Sequence, residues 1–520
     1  MKVNRYLSTA SSYFFVVTLT LLLITGMTTG CGSGTQPPPK LHGNTSVTVL
    51  LSSTANDQVT QFDMEFQTLT LTSQSGKTVT LFSSPQPSEF MHLNGGIEPL
   101  TNVSVPQDVY TSATVTVSGA LFVCIANVPG GGLGIANYSI VDQDPMVTLP
   151  SPITVTGSSM ALLLDMQVAD SAVFPTCWTT PAFQGFSMTP TFHLASIALS
   201  SAPTNSANGK VNGLKATIAS VGATASKLTL TLPGGPYGTR TLSTTSNSAT
   251  VFQGVTDASA LSTGMFVDVD GAIQSDGSLL ATRIQVENTS AVNLISGPIL
   301  GAFGSILMPY GRTELGPLLT INDRSGIYSD INDFDFSTAT FGISGAFTNL
   351  QNLPFVPSFS AANMVPGQNV DVTPPSIPTR GGDFPPATTV TLIPQTINGT
   401  VVASQPTGNF TDYTVSLASY DLFPTLAAQQ ATLLTNPGQV EVYIDNTTQK
   451  LNKQSLAPGS TLRFYGLVFN DNGTLRMDCA EVKDGVSTTP RSSASPQAPS
   501  RTQIVNQAGK MILRRTTVAQ

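Results

Sequence analysis

Leu261-Ser-Thr-Gly264-Met-Phe-Val267-Asp-Val269-Asp-Gly271 and Leu456-Ala-Pro-Gly459-Ser-Thr-Leu462-Arg-Phe464-Tyr-Gly466 follow one pattern, and Met364-Val-Pro-Gly367-Gln-Asn-Val370-Asp-Val372 is a weaker copy. The first two continue in step. Asp276-Gly277 then Leu279, Ala281, Ile284 and Val286 matches Asn472-Gly473 then Leu475, Met477, Ala480 and Val482, with apolar residues at offsets 0, 2, 5 and 7. Period two with one slip predicts a bulged strand after a tight Asp-Gly or Asn-Gly hairpin turn. Each unit also opens on a Gly-initiated apolar strand, at Gly209, Gly297 and Gly399. Units of this size are too long for solenoid repeats and suit small β-barrels in tandem. The middle unit departs from the pattern: Pro374, Pro375, Pro378, Pro385 and Pro386 stand where its second hairpin belongs, which opposes closure.

The chain has 520 residues, of which only 10% are charged, which disfavours long helices with solvated outer faces. A hydrophobic content of 40% supports packed domains. The net charge is −8, and removing residues 1–30 takes away Lys2 and Arg5 and no acid, leaving −10. Nucleic acid is therefore excluded as a partner. The stretch after Asp484 is the exception, with Arg491, Arg501, Lys510, Arg514 and Arg515 and no acid, and it reads as a solvated basic tail.

Residues 45–200 read as strands. Val47, Val49 and Leu51 alternate, as do Phe62, Met64 and Phe66; Leu69 and Leu71 then shift phase by one, which requires a bulge or turn. The segments FDMEFQTLTLTSQSGKTVTLF, VPQDVYTSATVTVSG, LLLDMQVADS and MTPTFHLASIAL resemble an uncharacterised β-sandwich domain family recurrent in bacterial lipoproteins, which implies a sandwich and no particular chemistry. The later units resemble a second uncharacterised family of small OB-like β-barrels in exported bacterial proteins.

At the N-terminus, Lys2 and Arg5 precede a twelve-residue apolar run, Tyr13 to Ile24. At 1.5 Å per residue that run spans about 18 Å, short of a hydrocarbon core of ~30 Å, and reads as a secretory signal. Its end in Gly30-Cys31 resembles the lipobox of bacterial lipoproteins, which implies that Cys31 is lipidated. Gly32 rather than Asp after Cys31 implies, by analogy with lipoprotein sorting, the outer membrane.

Of the remaining cysteines, Cys124 and Cys177 fall in one domain, 53 residues apart. A disulfide between them would stabilise by about 4 kcal/mol through loop-closure entropy; two small buried thiols fit equally. Asp330, Asn332, Asp333 and Asp335 are the densest acidic cluster, read as a polar turn with Ca²⁺ coordination as the alternative. Asp268 and Asp270 alternate on a strand and are expected to solubilise its outer face. The three histidines are His42, His92 and His193, the last expected to be a packed or surface strand residue, and no G-x-S-x-G, H-E-x-x-H or P-loop motif is present. The expectation is an all-β chain: signal peptide 1–30, lipidated Cys and tether 31–44, β-sandwich 45–200, barrel-like repeats 207–290, 295–395 and 397–486, and a basic tail 487–520. Its expected function is a non-enzymatic, lipid-anchored envelope scaffold whose partner is a protein or polysaccharide, needing no cofactor. The alternatives are a carbohydrate- or peptide-processing enzyme and a calcium-rigidified surface stalk.

Overall fold

A computed structural model describes residues 41–53, 59–90, 93, 96–127, 133–140, 146–167, 190–203, 208–224, 226–233, 238–288, 295–299, 314–319, 331–345, 350–373, 385–419, 421–428, 433–451 and 455–484. The fold is all-β, a sandwich followed by small barrels in tandem.

The sandwich contains β1 (Asn44–Ser53), β2 (Val59–Ser73), β3 (Thr78–Phe82), β4 (Gln86–Glu89), β5 (Ile97–Pro106), β6 (Val109–Asn127), β7 (Leu133–Ile140), β8 (Met146–Thr148), β9 (Ile153–Thr154), β10 (Ser159–Met166) and β11 (Thr191–Ile197). One sheet has the order β5-β1-β10-β11-β8; the other runs β3-β2-β6-β7, with β4 on β2 and β9 on β6. The phase change along β2 is a bulge: its register with β6 slips between Phe66 and Thr68, so Phe62, Met64, Phe66, Leu69 and Leu71 all enter one core. Phe66 packs on Phe90 and Phe192 with centroids 5.8 and 5.6 Å apart. Buried Tyr110 donates its hydroxyl to the Pro106 carbonyl at 2.9 Å, pinning the corner where β5 hands over to β6.

β1 and β10 are apolar on both faces. Val47, Val49, Leu162 and Leu164 fill the sandwich, whereas Leu50 and Ala161 point outward into the core of the next domain. That domain is a five-stranded barrel of β12 (Lys210–Val221), β13 (Lys227–Pro233), β14 (Thr239–Thr245), β16 (Phe266–Ile273) and β17 (Leu279–Asn288), with the short β15 (Val251–Gln253) alongside β17. The sheet order β14-β13-β12-β16-β17 closes on itself through a parallel β14–β17 pairing.

In the middle unit, β18 (Ile295–Pro298), β19 (Glu314–Leu319), β20 (Ile331–Asp335), β21 (Thr340–Ile343), β22 (Asn369–Thr373) and β23 (Thr389–Leu392) retain part of the same plan. β18 pairs with β22, β22 with β23, and β19 with β20. Among the described residues the closing parallel contact from β20 is one bridge, Asp335 to Pro386. Pro386, at the bridge itself, has no N–H with which to extend the pairing.

The third unit repeats the first barrel strand for strand: β24 (Gln395–Thr407), β25 (Phe410–Leu417), β26 (Gln439–Ile444), β27 (Gln449–Leu451), β28 (Thr461–Asp471) and β29 (Thr474–Asp484), in the order β26-β25-β24-β28-β29-β27 and closed by parallel β26–β29 pairing. A short helix α1 (Leu422–Ala427) is inserted between β25 and β26. Asn472 and Gly473, both at positive φ, make the expected two-residue hairpin turn. The slip also exists, although the in-step alignment is displaced. β17 bulges opposite Asp270 and Gly271, and β29 opposite Tyr465 and Gly466, so Cys479 enters the third core where Ala480 was expected. The glycines mark the bulge because a Cβ on Gly271 or Gly466 would lie 2.5 or 2.0 Å from the carbonyl oxygen of Leu280 or Asp478.

Candidate functional site

The described residues from Gly43 onward form one compact unit, and the buried charges concentrate where its domains meet. On β14, Arg240 has the parity of Leu242, which faces the first barrel's core. A guanidinium cannot end there, and this one leaves the barrel towards the sandwich. Its Nε and Nη1 donate to the carbonyls of Pro87 and Pro99 at 2.8 Å each, and its Nη2 pairs with the buried Glu98 carboxylate. Burial pushes the guanidinium pKa down to about 9, so it remains charged at neutral pH and is met by an opposite charge.

The second seam joins the first and third barrels. Asp268 and Asp270 do not merely solubilise a strand face, as expected: Asp268 is 3% exposed. Arg283 on β17 binds both, Nη2 to Asp268 at 3.0 Å and Nε to Asp270 at 2.7 Å, and its Nη1 donates to Gln285 Oε1 at 2.7 Å. Burial lowers the pKa of Arg283, but the two carboxylates more than offset this and hold it above its ordinary value. Asn212 of the first barrel donates to Gln449 Oε1 of the third at 3.0 Å. Tyr465 and Glu481, from the third barrel, are raised first by burial; Asp268, Glu481 and Asp270 add to the Tyr465 shift, while Lys483 and Arg463 oppose that of Glu481. Arg463 also reaches the sandwich, Nη1 to the Ser53 carbonyl at 3.4 Å.

The third seam is apolar at its centre. The middle unit's core includes Phe410, Tyr443, Leu467 and Phe469 of the third barrel. Phe355 packs on Tyr443 and Phe469 with centroids 5.4 and 5.7 Å apart, and the Arg476 guanidinium lies 5.3 Å from the Phe355 ring centre. Gln368 Nε2 donates to the Val468 carbonyl at 2.8 Å. A cleft of about 490 Å³ opens beside this seam, lined by Val356, Asn363, Leu433, Asp471 and Asn472 among others. Its polar groups bond to their own neighbours: Asn363 Nδ2 to Ser358 Oγ at 2.7 Å, Asn472 Nδ2 to Asp471 Oδ1 at 2.9 Å.

Cys31 and Cys177 lie outside the described residues, as does the side chain of Cys124, whose backbone pairs with Ala136 on β7. Cys479 is a buried free thiol. Of the acidic cluster, Asp330 lies outside the described residues and only the backbones of Asn332 and Asp333 are described, on β20. Asp335 Oδ1 accepts the Ser337 N–H at 2.9 Å and so caps the turn that follows. His193 stands in register between Asp165 on β10 and Thr148 on β8, an acid–imidazole–hydroxyl row. The acid does not orient the imidazole, however: Asp165 Oδ2 accepts from Gln167 at 2.7 Å, and Oδ1 has no hydrogen-bond partner among the described residues. The seam residues were missed in the sequence, although Arg240 carried a signal, being a charge on the apolar parity of a strand. Asp268 and Asp270 carried none, since alternation gives a face without saying what covers it.

No curated protein matches the chain. Residues 216–285, from the middle of β12 into β17, match the family described as Domain of unknown function (DUF5666).

Proposed function

We propose that this chain is a lipid-anchored protein of the bacterial cell envelope, held at Cys31 and placed in the outer membrane, whose β-domains form a rigid scaffold that binds or braces a protein or polysaccharide without catalysing a reaction. The observation carrying this reading is the polar bonding across the seams: Arg240 of the first barrel pairs with Glu98 of the sandwich, Asn212 of the first barrel donates to Gln449 of the third, and Arg463 of the third reaches the Ser53 carbonyl of the sandwich. A rigid body on a short Gly/Pro tether suits a load-bearing or docking part. The five-stranded closure of both complete barrels suits an OB-like reading, and OB-like barrels elsewhere present one face to extended polymers; with an acidic chain, a polysaccharide or protein suits that face better than nucleic acid. Protease shaving of intact cells, comparing the natural chain with Cys31→Ala, tests the anchor. Retention of the natural chain and release of the variant support it; identical fractionation of the two contradicts it.

The hydrolytic reading has one observation in its favour, the Asp165–His193–Thr148 row. It predicts ester or peptide turnover that is lost in His193→Ala; the scaffold reading predicts none in either protein. Calcium at Asp330, Asn332, Asp333 and Asp335 predicts a lower melting temperature on adding EDTA, and an unchanged one removes it.

A further inference from the structure

The outward face of the third barrel at its seam with the middle unit brings together Asp412 on β25, Glu441 and Tyr443 on β26, Asp471 at the end of β28 and Arg476 on β29. Arg476 serves two of the acids, Nε to Glu441 Oε2 at 3.1 Å and Nη1 to Asp471 Oδ2 at 3.2 Å. Glu441 Oε2 also accepts the Tyr443 hydroxyl at 2.9 Å. Asp412 is 5% exposed; its Oδ2 accepts Gln405 Nε2 at 3.1 Å, and its Oδ1 has no hydrogen-bond partner. A buried carboxylate oxygen left in this way needs either a cation or a proton. A metal ion needs several oxygens, and among the described residues no three metal-ligating side chains converge. A proton needs one.

We propose that Asp412 is the proton-binding element of a clamp between the third barrel and the middle unit. With Asp412 neutral, Phe355 closes over Tyr443 and Phe469. When Asp412 is ionised, its charge opposes Glu441 beneath that apolar cover and the seam loosens. Burial raises the carboxyl's pKa above the ordinary range, the Gln405 bond lowers it, Glu441 raises it and Arg476 lowers it, for a net rise. The closed seam therefore holds the proton more tightly than the open one. Its extra stability is complete in acid and is lost as pH rises through the closed-state pKa. The clamp goes beyond the scaffold reading and stands without it.

Hydrogen exchange of the full chain from pH 4, the ordinary carboxylate range, up to pH 8, normalised at each pH to the unprotected-peptide rate, tests the clamp in segments 350–364 and 439–444, with 159–166 in the sandwich as control. Protection of the two seam segments relative to the control should fall by up to about tenfold per pH unit, the limit for release of one proton; the loss from Asp478 up to about pH 6 acts on the whole fold and is carried by the control as well. Asp412→Asn should hold the ratio of seam to control protection constant across the range. Glu441→Gln, which removes the repulsion and leaves Arg476 nearer to Asp412, should move the fall to lower pH, and Asp478→Asn should leave it in place. A level profile in the natural chain, an unchanged fall in Asp412→Asn, or its disappearance in Asp478→Asn overturns the proposal.

Discussion

Arg240 and Asp478 show how one side chain ties strand parity to measurable stability. Truncation of Arg240 removes the guanidinium from the buried Glu98 carboxylate, and breaking such a pair costs about 3–5 kcal/mol. Arg240→Ala should lose that much in urea unfolding, and Arg240→Met combined with Glu98→Leu should recover most of it, because the pair is replaced by apolar volume instead of being halved. Asp478 is pushed up to about 6, by burial and then by Asp445. The folded chain therefore binds a proton that the unfolded chain, at about 3.9, has already released. Stability from this group falls as pH rises from about 4 to about 6 and is level above that. Asp478→Asn should abolish that fall, which a series of melting temperatures across the window checks.

At the scale of the element, the bulged hairpin is the unit the chain repeats. Gly466 stands where the carbonyl of Asp478 presses against β28, so Gly466→Ala should destabilise by about 1–3 kcal/mol through forced backbone displacement. Gly459→Ala, with open space around its Cβ, meets only the penalty of positive φ, of about 1 kcal/mol. Much of this was legible in the sequence. The phase change between Phe66 and Leu69 announced the bulge in β2, and Asn472-Gly473 announced its turn. What alternation could not supply was the second face. β1 reads Val-Leu-Leu because the sandwich lies on one side of it and the first barrel on the other. The residue that enters the third core is Cys479 and not Ala480, because the arms of that hairpin are longer than those of the first. Contacts between distant segments, such as Phe355 on Phe469, leave no periodic trace.

Across the whole molecule, the cores are continuous through the domain boundaries. Leu50, Ile97 and Ala161 of the sandwich belong to the first barrel's core, and Phe410, Tyr443, Leu467 and Phe469 of the third barrel belong to the middle unit's. A middle unit whose described strands meet in a single closing bridge thereby gains a hydrophobic wall it does not encode itself. Phe355→Ala, which removes one of the largest contacts across that seam, should cost about 3–5 kcal/mol. Because the seam is shared, the loss should appear in both units. The central claim, that sandwich and barrels act as one rigid body, is tested most directly by calorimetry of the full chain alongside Arg240→Ala and Phe355→Ala. Each substitution touches a different seam, and the account predicts that either one moves the whole unfolding endotherm to lower temperature. Separate transitions, of which each substitution moves only its own, would show independent domains and contradict it.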